Sequence, residues 1–131
     1  TMAYEIPGFG FGTCPAGADL SSSQYKFVKL NTSGQIVAIA VDTDNPVGIL
    51  QNAPTSGQPA EVMSLGISKV QGDADLSKGA FVGTSADGQA IALVHGTDTT
   101  KYIVGQVIQD NGAAGGLATI IFNCLGAGRG A

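Results

Sequence analysis

The stretch "GDADLSKGAFVGTSADGQAIALV", residues 72–94, carries the pattern that decides the fold. A short apolar run, AFVGTS, is followed by the turn ADG and by a second run, QAIALV. Two such runs joined by a glycine-containing turn are typical of an antiparallel hairpin, because glycine readily adopts the positive φ that the turn requires. The stretch therefore predicts two strands that turn at Asp87 and Gly88.

A related stretch, "GADLSSSQYKFVKLNTSGQIVAIAV", occupies residues 17–41. Several short matches follow one another in the same order in both regions, which predicts two similar halves rather than the longer array of a solenoid. The matches are Ala18-Asp19-Leu20 with Ala74-Asp75-Leu76, Phe27-Val28 with Phe81-Val82, Gly34-Gln35 with Gly88-Gln89, Val47-Gly48 with Val104-Gly105, and Leu65-Gly66 with Leu125-Gly126.

The rest of the chain continues this alternation of apolar runs and turns. Further strands are predicted at residues 47–51, 60–65, 66–70, 101–109 and 117–125, and no segment shows helical periodicity. Short strands at such regular spacing predict an all-β fold. We expect a small barrel or sandwich of short antiparallel strands, built from two similar halves at about residues 18–66 and 74–126, with a flexible tail at residues 127–131.

Residues 1–17 differ in character and are predicted to form an extended N-terminal arm. Their glycines and prolines disfavour regular structure, yet the arm carries Tyr4, Ile6, Phe9 and Phe11. Each large apolar side chain contributes roughly 1.5–3 kcal/mol when it is buried, so an arm that docks would be stabilised by them. The arm is expected to bury them either on a partner or on its own domain.

The composition excludes several classes of function. Charged residues make up 12% of the chain, the formal net charge is −4, and Lys and Arg do not cluster. Nucleic-acid binding needs a basic surface that neutralises phosphates, and an anionic membrane attracts similar clusters. We therefore expect no nucleic-acid or membrane partner, while a surface of low charge is readily desolvated against another protein.

No catalytic, cofactor-binding or metal site is predicted. His95 is the single histidine, Asp98 follows it in a loop, and no nucleophile elbow places a serine beside them. The motif DTDNPVG, residues 42–48, lacks the glycine position and the final glutamate of an EF-hand loop, so an Asx-Pro turn explains it better. Cys14 and Cys124 are expected to be either one disulfide or two unlinked apolar residues.

The run "SLGISKVQGDADLSKGAFVGTSADGQAIALV", followed by "KYIVGQVIQDNGAAGGLATIIF", resembles the small capsid decoration (cement) proteins of tailed bacteriophages. The resemblance covers roughly residues 18–126 and excludes the arm. One departure lies at residues 21–24, where SSSQ stands in place of the SKGA of the second half. The shared features are the segments at residues 66–70, 74–79, 87–88, 105–108 and 117–122.

This resemblance implies a non-enzymatic structural protein of the virion. Members bind the major capsid protein on the capsid exterior, as homotrimers at threefold or quasi-threefold positions, after assembly in the host cytoplasm. The arm would then add a strand to a coat-protein edge, with Tyr4, Ile6, Phe9 and Phe11 as anchors. The alternative is a head-fibre or adhesin-type module that recognises a host-surface glycan.

Overall fold

The computed structural model describes residues 6–126 and 128–130. Within these residues the chain forms eleven strands and no helix. The strands are β1 (Ile6–Phe11), β2 (Phe27–Leu30), β3 (Ile36–Ala38), β4 (Gly48–Leu50), β5 (Val62–Gln71), β6 (Phe81–Thr84), β7 (Ala90–Ala92), β8 (Tyr102–Ile103), β9 (Gly105–Gln109), β10 (Leu117–Asn123) and β11 (Gly128–Arg129).

Nine of these strands form one curled antiparallel sheet that resembles half a barrel. Its order is β3-β2-β4-β5-β10-β9-β6-β7, with β1 paired to β5 outside that path, while β8 and β11 form a separate pair. The predicted all-β fold of short antiparallel strands is therefore confirmed.

The two hairpins, β2–β3 and β6–β7, pair their strands at corresponding positions. Gly34 and Gly88 occupy the same place in the two turns and have φ values of 76° and 87°, as the turn chemistry predicts. In the first hairpin Val28 pairs with Ala38, Lys29 with Val37 and Leu30 with Ile36; in the second Val82 pairs with Ala92, Gly83 with Ile91 and Thr84 with Ala90.

The correspondence continues across the remaining strands of the sheet. Strand β4 lies between β2 and β5, just as β9 lies between β6 and β10. Each half therefore contains three residues that lie side by side on neighbouring strands, which we call its row. In the first half the row is Phe27, Ile49 and Met63, and in the second half it is Phe81, Gln106 and Ile121.

Strand β5 serves both halves. Its first residues pair with β4, and its later residues pair with β10. The end of β5 therefore has the same position in the second half that β1 has in the first half. Phe11 of β1 pairs with Val62, and correspondingly Ser68 of β5 pairs with Ile120. We use "first half" for β1–β4 with the start of β5, and "second half" for the end of β5 with β6, β7, β9 and β10. 

Two clusters of buried apolar residues form the core. One lies within the first half and comprises Ala16, Leu20, Val28, Ile36, Leu50, Ala60 and Val62. The other joins the halves, because it combines Phe27, Ile39 and Ile49 with Val70, Leu76, Val82, Ala90, Val104, Val107, Ala118, Ile120, Phe122 and Cys124. The halves are therefore packed against each other through this second cluster.

The N-terminal segment is more regular than its composition suggests. Residues Ile6–Phe11 form β1, although glycines and prolines disfavour strands. A Cβ added to Gly8 or to Gly10 would overlap the carbonyl oxygen of Leu65 or Val62, respectively. Glycine is therefore the residue that lets β1 approach the β5 backbone closely, which is why this composition is compatible with a strand.

Strand boundaries also differ from the sequence prediction in the middle of the chain. The two strands expected at residues 60–65 and 66–70 are one strand, Val62–Gln71. Gly66 lies inside it with a φ of 139°, so glycine absorbs a distortion without ending the strand. The match of Leu65-Gly66 with Leu125-Gly126 does not correspond in the fold, because Leu65 lies within β5 and Leu125 lies beyond the end of β10.

The predicted strand at residues 101–109 is divided into β8 and β9. Val104 separates them and donates its N–H to the carbonyl oxygen of Val82 (N···O 3.0 Å). Gly128 and Arg129, in the segment predicted as a tail, pair with Ile103 and Tyr102. The Arg129 guanidinium lies over the Tyr102 ring at 5.6 Å, a cation–π distance that adds to this pairing.

Candidate docking surfaces

The structure places the four predicted arm residues differently. Tyr4 lies outside the described residues, and so does the side chain of Ile6, whose backbone pairs with Ile67. Phe9 pairs with Leu65 and its side chain is 60% exposed, whereas Phe11 is half-buried against the first-half cluster. The segment from Ile6 to Phe11 is thus bound to its own domain, and Phe9 is the described member of the set that remains available to a partner.

A second apolar surface lies on the second half. Leu65, Phe81, His95, Gln106 and Ile121 line a shallow concave region of about 420 Å³, which we call the groove. Phe81 is 42% exposed and Ile121 is 50% exposed, and the Phe81 ring contacts the His95 ring edge to face at 5.2 Å. Exposed apolar patches are where proteins commonly bind other macromolecules, so the groove is a candidate docking surface.

The groove contains the second-half row of Phe81, Gln106 and Ile121. In the first half, Phe27 and Ile49 of the corresponding row are buried, with exposures of 1% and 0%. The same structural face is therefore covered in one half and open in the other. 

The groove is not predicted from the sequence, in which His95 is weighed only as a candidate catalytic residue. The signal that could have found it is the exchange of Ile49 for Gln106 at a matched position. A glutamine between two large apolar residues is compatible with a solvent-facing row but would be costly inside a core. The exchange marks the second-half row as exposed.

The residues considered for catalysis stabilise a loop instead. His95 is exposed, as the sequence predicts for a loop histidine. The Asp98 carboxylate accepts the backbone N–H of Val94 (2.7 Å) and lies 3.9 Å from the Lys101 ammonium. Asp98 therefore closes the loop on which His95 lies.

The motif at residues 42–48 has a corresponding structural role. Asp44 accepts hydrogen bonds from the Lys29 ammonium (2.8 Å) and from the backbone N–H groups of Ala40 and Val41. Burial of the Asp44 carboxylate opposes its ionisation, but these hydrogen bonds outweigh burial and lower its pKa below the usual value. The carboxylate is thus occupied by its own chain, and among residues 6–126 and 128–130 no cluster of three His, Cys, Asp or Glu side chains could hold a metal ion.

Both cysteines are free. Cys124 belongs to the cluster that joins the halves, and burial raises the pKa of its thiol to about 12. Cys14 is half-buried beside the first-half cluster. Cysteine therefore serves here as a small apolar residue.

These positions predict a difference in thiol reactivity. Because the thiolate is the reactive form, we expect native protein at pH 8 to be alkylated at Cys14 long before Cys124. Peptide mass spectrometry after timed iodoacetamide treatment measures the two rates, with protein unfolded in urea as the control in which both react. Equal modification of both cysteines in the native protein would contradict the described burial.

In the part of the chain that the structure describes, no helix has the length and apolarity that spanning a membrane requires.

Comparison with known proteins finds similar structures but no similar sequence. No protein-family model and no curated protein matches the sequence. The head fiber gp8.5 N base of bacteriophage phi29 matches with a TM-score of 0.65 and 17% identity, over 88% of this chain and 94% of that chain. A chain of the capsid of Myoviridae phage XM1 matches with a TM-score of 0.62 and 15% identity, over 93% and 92%. The chain thus has the fold of these two phage proteins, and the resemblance to phage capsid-associated proteins found in the sequence is confirmed at the level of fold.

Proposed function

We propose that this protein is a structural component of a tailed-phage head, which binds the outer surface of the capsid and stabilises the mature shell. The observation that carries the proposal is the fold, which is shared over about nine-tenths of the chain with a phage head fibre base and with a capsid chain. The sequence resemblance to decoration proteins points to the same role independently of the structural comparison. Binding rather than catalysis is the proposed activity.

The proposed position is a threefold or quasi-threefold point of the capsid, occupied by a homotrimer. Coat subunits meet there, so a trimer can hold several of them together through contacts that are individually modest. The low charge of this chain suits such a role, because few ionic groups lose their hydration when surfaces come together. Its net negative charge opposes non-specific association of free copies.

We propose Phe9 as a contact to the major capsid protein. Its side chain is large, apolar and exposed, and β1 itself is paired with β5. An aromatic side chain on a rigid strand binds with a small loss of conformational freedom. Tyr4 would extend the same contact, whereas Phe11 supports β1 by packing on the domain.

A head-fibre base is the second candidate function, because one of the two similar structures is a fibre base. Such a base would also attach to the head, but it would hold a projecting module that recognises a host-surface glycan. Capsid binding is common to both candidates, so glycan binding by the whole virion with and without this protein distinguishes them. Loss of glycan binding along with the protein would favour the fibre base.

Substitution of Phe9 tests the capsid contact without removing β1. Phe9→Asp is expected to weaken binding to expanded capsids at least about tenfold, since a buried aromatic contributes roughly 1.5–3 kcal/mol and 1.4 kcal/mol is a factor of ten. Co-sedimentation with purified capsids across a range of protein concentrations measures the change. Deletion of residues 1–12 is less informative, because it removes a strand of the sheet.

Leu117→Asp is the matched control, because Leu117 is also an exposed apolar residue but pairs with Gln71, at the other end of β5 from Leu65, which pairs with Phe9. It should bind capsids like the wild type. Normal capsid binding by Phe9→Asp would reject the role of Phe9, while no binding by the wild-type protein would reject the proposed function itself.

A further inference from the structure

Tyr25 has a backbone conformation that a bulky residue rarely adopts. Its φ is 62°, and among residues 6–126 and 128–130 every other residue with a positive φ is a glycine. A positive φ brings the Cβ of an L-residue too close to its own backbone, so it is unfavourable for an aromatic residue. The Tyr25 N–H donates to the carbonyl oxygen of Leu50 (2.7 Å), and the Tyr25 carbonyl oxygen accepts the N–H of Gln71 (2.8 Å). The end of β4 and the end of β5 therefore both hold Tyr25 in this conformation.

The second half of the molecule has a glycine at the matching position. Residues 23–26 and 77–80 form four-residue turns, each closed by a 3.1 Å hydrogen bond from the N–H of its last residue to the carbonyl oxygen of its first. The third residue is Tyr25 in one turn and Gly79 in the other, and each donates its N–H to the neighbouring strand, β4 or β9. Gly79 has a φ of 83°, which glycine adopts readily. In the fold, SKGA thus corresponds to SQYK, with a tyrosine where the turn favours glycine.

The Tyr25 side chain lies at the wall of a shallow pocket. A residue held in an unfavourable conformation indicates that its side chain does something that a glycine cannot do. The Lys69 ammonium lies over the Tyr25 ring, 5.3 Å from its centroid, a cation–π distance that holds the ring in place. The pocket has a volume of about 350 Å³, and we call it the Tyr25 pocket. It is lined by Tyr25 together with Ser21, Ser22, Gln24, Gln71, Gly115 and Leu117.

The lining of the Tyr25 pocket is uncharged and rich in groups that form hydrogen bonds. Gln24 uses its Nε2 to donate to the carbonyl oxygen of Gln51, which leaves its Oε1 as an acceptor for a ligand. The Gln71 Nε2 donates no hydrogen bond within the described residues, and the Ser22 hydroxyl is exposed. The Tyr25 ring and the exposed Leu117 side chain add apolar surface. The pocket therefore combines neutral donors and acceptors with an aromatic ring.

We propose that the Tyr25 pocket binds a saccharide. A sugar ring carries hydroxyl groups that donate and accept hydrogen bonds, and it carries C–H groups that pack on an aromatic ring. These properties match the amides, the hydroxyls and the ring of the pocket, which fix the orientation of a ligand while apolar surface adds affinity. A volume of about 350 Å³ lies at the small end of the range for ligand pockets and suits a ligand of one or two sugar units.

The saccharide site is separate from the capsid contact of the proposed function. Phe9 pairs with Leu65, whereas Gln71 of the Tyr25 pocket is the last residue of β5. On the outer surface of a phage head, the position proposed above, many copies would together bind a glycan-coated surface more tightly than one pocket does. Binding of a sugar by the purified chain does not depend on capsid binding, so the two proposals can fail separately.

NMR titration of the purified chain with the methyl glycosides of glucose, galactose, rhamnose and N-acetylglucosamine, up to tens of millimolar, tests the site. At least one glycoside should shift the side-chain amide signals of Gln24 and Gln71 and the ring signals of Tyr25 in a saturable manner. Tyr25→Ala and Tyr25→Gly both remove the ring and should weaken this binding at least about tenfold. Phe9→Asp is the control and should bind as the wild type does. No shift with any of the four glycosides, or shifts confined to residues outside the pocket, would overturn the proposal.

The stability of the same variants distinguishes a binding role of Tyr25 from a structural one. Tyr25→Gly removes the ring and also relieves the unfavourable φ, whereas Tyr25→Ala removes the ring and keeps a Cβ at that φ. The urea midpoint of Tyr25→Gly should equal or exceed that of the wild type, and the midpoint of Tyr25→Ala should be lower than that of Tyr25→Gly. A Tyr25→Gly midpoint below the wild type would overturn the proposal, because the fold would then require the ring. So would loss of capsid binding by Tyr25→Gly without any glycoside binding by the wild type, which would assign the pocket to the coat protein.

Discussion

Replacing Phe27 by alanine is expected to lower the free energy of unfolding by about 3–5 kcal/mol, as is typical when a buried phenylalanine is truncated. Phe27 is 1% exposed and belongs to the cluster that joins the halves, so its removal leaves a cavity between them. Its counterpart Phe81 has the same position in the second half but is 42% exposed. Phe81→Ala should therefore cost about 1 kcal/mol or less in the single copy.

Urea unfolding followed by circular dichroism measures both values. The two substitutions are compared at a protein concentration at which sedimentation velocity shows a monomer, so that unfolding involves one molecule. Phe27 and Phe81 are the same residue type at corresponding positions of the two hairpins. They differ in that the ring of Phe27 is buried and the ring of Phe81 is exposed. Costs that agree within about 1 kcal/mol would show that the first-half face is not stabilised by the second half in the way described.

The second large effect is expected for Gly88→Ala. Gly88 has a φ of 87°, where an L-residue costs roughly 1–2 kcal/mol, and the new Cβ would lie 2.7 Å from the Phe27 carbonyl oxygen. Backbone atoms cannot move aside as a flexible side chain does, so the halves must shift apart. Overpacking of this kind adds about 1–3 kcal/mol, for a total loss of about 2–5 kcal/mol.

Gly34→Ala separates these two causes. Gly34 has a φ of 76°, and no atom lies within 4 Å of a Cβ added to it. Its substitution should therefore lower the free energy of unfolding only by the roughly 1–2 kcal/mol that the unfavourable φ costs. Both variants are compared by urea unfolding at a protein concentration at which sedimentation velocity shows a monomer. If Gly88→Ala and Gly34→Ala were equally destabilising, the close approach of Gly88 to Phe27 would carry no energetic weight.

The features that the sequence predicts well are local ones. The two hairpins follow from apolar runs around Gly34 and Gly88, because the turn requires a positive φ that glycine adopts easily. The repeated Phe-Val and Val-Gly pairs also occupy corresponding places in the sheet, since the same residue types satisfy the same pairing in each half.

The features that the sequence does not reveal are contacts between distant segments. Nothing local distinguishes Phe27 from Phe81, because both lie in an apolar strand, and only the packing of one half on the other buries the first ring. Strand β1 likewise has no local signal in the sequence, because its glycines act through the close approach to Leu65 and Val62 rather than through their own propensity. Exposure therefore depends on the arrangement of the halves, and the exchange of Ile49 for Gln106 in the neighbouring strand is the sequence signal that reflects it.

Cryo-electron microscopy of expanded phage capsids, before and after incubation with the purified protein, tests the central proposal most directly. The account predicts added density on the outer surface at threefold or quasi-threefold positions, made of three copies, with Phe9 facing the coat protein. Capsids that bind no protein at saturating concentration, or that bind it only on the inner surface, would contradict the account.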